Sequence, residues 1–188
     1  MIYSPVLIEV AQRLGAAPAD LHALIQAESA WNPVAYNPSG AVGLIQFMPQ
    51  TLKDLGLLSA SLAERVPAHG AVPEAVKQEV RKEFLTKYPT AEAQLRGPVT
   101  TYLSRYKPFP TRQSLYLSVF YPAFRNSPPD TAFPASVQAQ NPGIVKVQDY
   151  VKHVEKRRIM QAAKTSLAMA ALAGIAGLWY IGRRGGFT

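Results

Sequence analysis

The sequence predicts a mainly α-helical chain, and three observations carry that expectation. Apolar residues recur at helical spacing in several stretches, beginning with Leu7, Val10, Ala11 and Leu14 at i, i+3, i+4 and i+7. Helix-start chemistry stands in front of the first two stretches, as Ser4-Pro5 and as Pro18-Ala19-Asp20. Nowhere do apolar and polar residues alternate as in a half-buried strand, and the chain shows no hairpin signal and no internal repeat.

Each expected element follows from local chemistry. Ser4 can cap a first helix with Pro5 at its first turn, and Gly15 can end it. A second helix starts at Pro18, carries Asp20 in its first turn, and places Leu21, Leu24, Ile25 and Glu28 on one stripe. Residues 31 to 43 hold Pro33, Pro38, Gly40 and Gly43, which predicts a tight-turned loop folding back over the end of that helix. A short helix from about Pro49 to Leu55, stopped by Gly56, comes next. Between Ser59 and Leu95 the chain is charged and helical, with Val76, Val80 and Phe84 stepping by four and the charges facing solvent. Tyr102, Leu103 and Tyr106 suggest another short helix, and Leu115 to Phe124 is an apolar, aromatic run that should be buried. Asn126 to Gly143 is Pro-rich and polar, which predicts a loop leading away from the core. Ile144, Val147, Val151 and Val154 then mark a helix that packs on the domain until the charges of Glu155 to Arg158 interrupt the stripe, and that then runs toward the next segment.

Composition narrows the partner classes. The 188 residues suffice for one domain with a core plus an appendage. The absence of cysteine excludes a disulfide framework and thiolate metal sites and leaves the compartment open. The net charge of +8 favours polyanionic surroundings: nucleic acid, anionic lipid or an anionic wall polymer. The basic stretch from Lys146 to Lys164 lacks aromatic interleaving and nucleic-acid motifs, so a solvated or lipid-flanking role is favoured over nucleic acid. His22, His69 and His153 are dispersed and lack the spacing of a metal site, and no phosphate loop or dinucleotide fingerprint is present, so neither metal nor cofactor is expected.

Residues 165–182 read TSLAMAALAGIAGLWYIG, uncharged and bracketed by Lys156, Arg157, Arg158 and Lys164 before and Arg183 and Arg184 after. That length is near the minimum of about 17 to 20 residues for crossing hydrocarbon, and Trp179 and Tyr180 are placed as interfacial anchors, so a membrane helix is expected. Basic residues on both sides leave its orientation open. Small-residue pairs at Ala170 and Gly174 and at Ala173 and Gly177 could support self-association. Met1 to Val10 lacks the pattern of a secretory signal peptide.

Glu28 is the chief candidate for chemistry. A carboxyl at the end of an apolar stripe, facing a Gly/Pro-built loop, has neighbours that desolvate it, and desolvation keeps a general acid protonated near neutral pH. Periodicity alone leaves open that Glu28 simply reaches solvent. Asp20 and Asp54 are candidate second carboxylates in the same stretch, and Asp54 sits on a polar, exposed-looking helix.

The run Glu28-Ser29, then Gly40-Ala41-Val42-Gly43-Leu44-Ile45-Gln46, then Met48-Pro49 resembles the soluble-lytic-transglycosylase family, which shares the lysozyme-like fold with goose-type lysozyme. The match is good over about Val6 to Gly56, with Ile45 a volume-conserving replacement for the usual methionine. The resemblance implies cleavage of the β-1,4 bond between N-acetylmuramic acid and N-acetylglucosamine in peptidoglycan. Glu28 would act as acid and then base, and a 1,6-anhydro product would form. It implies that Ser29 bonds near Glu28 or the substrate's N-acetyl group and that Gln46 orients sugar or loop, with ordinary backbone capping as the lesser alternative for both. Met48, Trp31 and Tyr36 would line a saccharide groove or the core. The family's third element, Ala-Tyr-Asn, finds its counterpart in Phe120-Tyr121-Pro122, so Tyr121 would bond Glu28, with Tyr116 as the alternative register. Phe-Tyr-Pro is similar to a branch found in phage and mobile-element enzymes.

The expected organisation is a lysozyme-like domain over 1–125, a Pro-rich loop over 126–143, a basic amphipathic helix over 144–164, and a membrane helix over 165–182 with a basic tail to 188. The expected role is a virion-carried transglycosylase, anchored in a membrane, that opens the wall locally during genome entry. Two further readings stay open: a goose-type hydrolase, and a non-catalytic glycan-binding protein of membrane penetration.

Overall fold

The structure is a computed structural model that describes residues 3–160. Helix α1 (Pro5–Leu14) begins where Ser4 Oγ accepts the Leu7 N–H at 3.2 Å and ends at Gly15, whose φ of 68° lets its N–H reach the carbonyls of Ala11 and Gln12. Helix α2 (Pro18–Ser29) buries Leu21, Ala23, Leu24, Ile25 and Ala27 between α1 and the later helices. It stops abruptly. Ala30 and Trp31 have φ of 53° and 64°, left-handed values that are costly for residues with a Cβ, and they turn the chain sharply just past Glu28.

Residues 31–48 form the expected folded-back loop. Val42 and Phe47 exchange backbone hydrogen bonds of 3.0 and 2.9 Å, and Tyr36 pairs with Val42 from the other side. Gly43 is required on two counts: its φ is 80°, and a Cβ there would stand 2.6 Å from Gln94 Oε1 and 2.8 Å from the Phe84 ring. Gln94 is fully buried, and its amide holds the loop from beneath. Oε1 accepts the Leu44 N–H at 2.9 Å, while Nε2 donates to the Pro33 carbonyl at 2.8 Å and the Tyr88 carbonyl at 3.0 Å.

The remaining elements are α3 (Pro49–Asp54), α4 (Ala60–Arg65), α5 (Glu74–Lys87), α6 (Ala91–Gln94), a π turn (Leu95–Val99) containing Pro98, α7 (Thr100–Ser104), α8 (Arg112–Phe120), a 3-10 turn (Pro122–Phe124), α9 (Ala135–Gln140), and α10 over 147–160. Val76, Val80 and Phe84 are the buried stripe of α5, as their spacing predicts. Among the described residues there are isolated β-bridges and no named strand, so the mainly helical expectation holds.

The segment after residue 125 departs from expectation. Rather than leading away, it returns to the core: Phe133 is 2% exposed and sits among the rings of Phe120, Tyr121 and Phe124 at 5.3, 5.7 and 5.6 Å. Ala132 bridges to Lys146, and the Phe133 N–H reaches the Val145 carbonyl at 2.8 Å. The reason is local. One phenylalanine in a polar, Pro-rich stretch carries enough apolar surface to pin it, and composition averages that residue away. Val147, Tyr150 and Val154 of α10 are buried in the same core, which therefore does not close at residue 125. Helix α10 is further fixed by Glu155, which accepts the Tyr116 hydroxyl at 2.8 Å and pairs with Arg112 and Arg158 at 3.3 and 2.7 Å. The membrane helix expected over 165–182 lies outside the described residues; among those described, no helix is long and apolar enough to cross a membrane.

Replacing Gln94 by leucine keeps the bulk but orphans the Leu44 N–H and removes the donor to two carbonyls. Urea denaturation of this variant is expected to show a loss of about 3 kcal/mol with an unchanged m-value, since a buried unsatisfied group costs about 1–3 kcal/mol.

Candidate active site

Helix α2 carries Glu28 in its last turn, where the left-handed pair at Ala30 and Trp31 clears the chain from one side of the carboxyl. A cavity of about 580 Å³ opens there. Its walls are Ala27 and Glu28 from α2, Phe120 from the end of α8, the stretch from Gln140 to Ile144, and Asp149, Tyr150 and His153 from α10. The returning segment is thus part of the site.

Within the cavity Glu28 Oε1 accepts a hydrogen bond from the Tyr150 hydroxyl at 2.5 Å. No described residue bonds Oε2. Tyr150 is 3% exposed, and its ring stacks on Phe120 at 4.1 Å and 13°, with the His153 ring on the same helix nearly parallel to it at 6.4 Å. Burial raises the Glu28 carboxyl above the ordinary carboxylate range, and it outweighs the Tyr150 hydrogen bond and the Arg157 charge, which pull the other way. Glu28 keeps part of its surface because it forms part of the cavity wall, yet dense protein around the carboxyl desolvates it. Burial, followed by the Glu28 charge and the hydrogen bond itself, pushes the Tyr150 hydroxyl far up, so this phenol stays a donor. The Tyr102 hydroxyl is raised first by burial, then by Tyr106 and the Glu28 charge, and it donates to the Ser118 carbonyl at 2.8 Å.

Other carboxylates are differently engaged. Asp149 lines the cavity, but from the first turn of α10 its Oδ2 reaches back to accept the N–H groups of Val145 and Lys146 at 3.2 and 2.8 Å, which caps the start of the helix as the return half of a capping box does. Asp20 faces Arg112 at 3.8 Å. Among the described residues no group of three or more ligand-type side chains is arranged to hold a metal.

The residues singled out from sequence fall in several places. Ser29 Oγ donates to the Ile25 carbonyl at 3.3 Å, within its own helix. Gln46, at φ 54°, donates to the Gly43 carbonyl at 3.0 Å and accepts from Asn37 Nδ2 at 3.3 Å, which braces the loop. Met48 precedes α3 and is 37% exposed. Tyr36 lies under the Arg81 guanidinium at 4.7 Å, and Trp31 packs on His22 with ring centroids 5.0 Å apart. Ser29, Gln46, Met48, Tyr116 and Tyr121 are not among the residues that line the Glu28 cavity.

The tyrosine assignment is corrected. Glu28 is bonded by Tyr150, not by Tyr121 or Tyr116. Helix α8 ends at Phe120, and Tyr121 turns its ring onto Phe124 and Phe133 at 4.8 and 5.7 Å, while Tyr116 is fully buried against Glu155. A signal for Tyr150 was present in the sequence: Val147, Tyr150, Val151 and Val154 occupy i, i+3, i+4 and i+7. A phenol on a buried stripe needs an acceptor, and a buried carboxyl needs a donor.

Because the folded protein holds Glu28 above its unfolded value, the folded state binds more protons between the two. Stability is therefore highest below the ordinary carboxyl range and falls as pH rises through the raised folded value. Thermal melts across that window should show Glu28→Gln more stable than the unsubstituted protein at neutral pH, with the gap closing in acid; a constant gap would contradict the burial argument.

A family model described as the transglycosylase SLT domain matches residues 5–66. No curated protein and no solved structure matches the chain. The matched segment holds α1, α2, the turn behind Glu28 and the whole loop braced by Gln46 and Gln94. The likeness to the transglycosylase SLT domain thus spans residues 5–66, and members of that family act on peptidoglycan.

Proposed function

We propose that the protein is a peptidoglycan lytic transglycosylase with a lysozyme-like core, and that Glu28 is its acid and base. One observation carries this reading: a desolvated carboxyl at the wall of an open cavity, with Oε1 held by the Tyr150 hydroxyl and Oε2 without a protein partner among the described residues. Protonated Glu28 delivers its proton to the glycosidic oxygen between N-acetylmuramic acid and N-acetylglucosamine as the bond from C1 breaks. The resulting carboxylate takes the proton of the muramic acid 6-hydroxyl, whose oxygen closes on C1. No water is consumed, and Glu28 ends protonated as it began. Tyr150 stays protonated throughout and steadies the carboxylate in the middle of the cycle.

A hydrolase needs a second carboxylate to activate water or to form a covalent intermediate. Asp149 shares the cavity, but it caps α10 through two backbone N–H groups, which favours the single-carboxylate route. Mass spectrometry of digested sacculi is expected to show 1,6-anhydromuramyl ends. Glu28→Gln should lower their rate of formation by at least about 10²-fold, the contribution typical of a general acid. Reducing ends would assign a hydrolase, and undiminished activity would remove Glu28 from the chemistry.

We propose further that residues 165–182 hold the enzyme at a membrane and that it is carried in a virion to open the wall locally. The support is the uncharged apolar run itself, its basic flanks and its Trp179-Tyr180 pair. Flotation with anionic vesicles is expected to bring the full chain to the top of a gradient in high salt, and a chain ending at residue 160 is expected to stay below. Equal behaviour of the two would refute the anchor.

A further inference from the structure

Helix α10 carries Tyr150, His153 and Arg157 at i, i+3 and i+7, so one helical face runs from the phenol on Glu28, through an imidazole in the cavity wall, to a guanidinium one turn beyond it. Arg157 is exposed, yet its charge is felt inside the site by Glu28, Tyr150 and His153. Its neighbours are neutralised differently. Arg112 and Arg158 both engage Glu155, whereas no carboxylate among the described residues pairs with Arg157, and residues 161–188 contain no Asp or Glu. Lys156 adds a second positive charge felt by His153. The cavity thus has an aromatic wall at Phe120 and Tyr150 and side-chain amides at Gln140 and Asn141, and Arg157 stands outside its lining, one turn past His153 on the same helix. Rings and amides suit an N-acetylated sugar, and a guanidinium suits a carboxylate.

We propose that Arg157 is a specificity residue that binds a carboxylate carried on the 3-O-lactyl substituent of a muramic acid bound in this cavity. The assignment rests on the transglycosylase reading and narrows it. An N-acetylglucosamine unit is neutral, so on the glycan strand the lactyl arm is where negative charge arises. That charge is the lactyl carboxylate itself in strands stripped of peptide, and a stem-peptide carboxylate in strands that keep it. In either case Arg157 distinguishes the muramic acid from its neighbour and sets the register of the strand over Glu28.

Calorimetric binding to the full chain carrying Glu28→Gln tests this without turnover. The probes are a stem-bearing muramyl oligosaccharide, the same oligosaccharide after amidase removal of the stems, and an N-acetylglucosamine oligomer of equal length. Adding Arg157→Gln is expected to weaken muramyl binding about tenfold, the loss of one charge-assisted contact, and to leave the N-acetylglucosamine oligomer near its original affinity. Arg157→Glu should weaken muramyl binding further, and Arg157→Lys should restore part of it. Loss on the stripped probe alone assigns the lactyl carboxylate, loss on the stem-bearing probe alone assigns a stem carboxylate, and loss on both shows that Arg157 takes whichever carboxylate the lactyl arm carries; each supports the proposal. Equal weakening on all three probes, or none on any, overturns it. Should the Glu28-intact protein form no anhydro ends while the muramyl preference persists, the transglycosylase reading falls and the carboxylate site stands.

Discussion

The hydrogen bond from Tyr150 to Glu28 joins residues 122 positions apart and ties the last described helix to the second. Each partner is untenable alone. Without a donor the desolvated Glu28 carboxyl would have nothing to steady its charge, and buried Tyr150 without an acceptor would be an orphaned hydroxyl. Together they fix α10 against α2, and the cavity exists because those two helices meet there with Phe120 between them. The Glu155 cluster with Tyr116, Arg112 and Arg158 braces the same helix one turn further on. Site geometry and fold are therefore not separable in the second half of the chain: what positions the phenol is what closes the core.

A second constraint governs the first half. The loop over residues 31–47 has little regular structure, so its backbone groups need partners from elsewhere. Gln94 supplies them from a helix some fifty residues later, and Gly43 is the position where the loop backbone comes close enough to receive them. Gln46 then braces the loop from within. This explains why a glycine and two glutamines accompany a catalytic-type carboxyl without lying in its cavity. They hold the loop that follows Glu28 in its folded-back path.

Much of the helical architecture was legible because it rests on local signals. Ser4-Pro5, Gly15, the α2 stripe through Glu28 and the α5 stripe of Val76, Val80 and Phe84 each declare themselves within a few residues. What was not legible depends on partners distant in sequence. Gln94 reads as one polar residue in a charged helical stretch, and nothing near it reveals three buried backbone partners. Tyr121 fits a local motif, yet α8 ends at Phe120 and the Tyr121 ring packs on Phe124 and Phe133 instead. Phe133 lies in a segment whose composition argues for a solvated loop, and a single buried ring decides otherwise. Tyr150 lay between these cases, since its place on the buried stripe was readable and its acceptor was not.

The engagement of Asp149 bears on how the site can work. A second carboxylate in the same cavity is what a two-carboxylate glycosidase requires, so its presence invites that mechanism. Its Oδ2, however, takes the N–H groups of Val145 and Lys146 at the start of α10, the helix that carries Tyr150. To swing toward a water or an anomeric carbon it would have to uncap that helix, loosening the hydrogen bond that steadies Glu28. The two roles compete for one side chain. A mechanism that asks everything of Glu28 leaves Asp149 at its cap and the Glu28–Tyr150 pair intact through the cycle, and an attack by the sugar's own 6-hydroxyl satisfies that condition without a water or a second base.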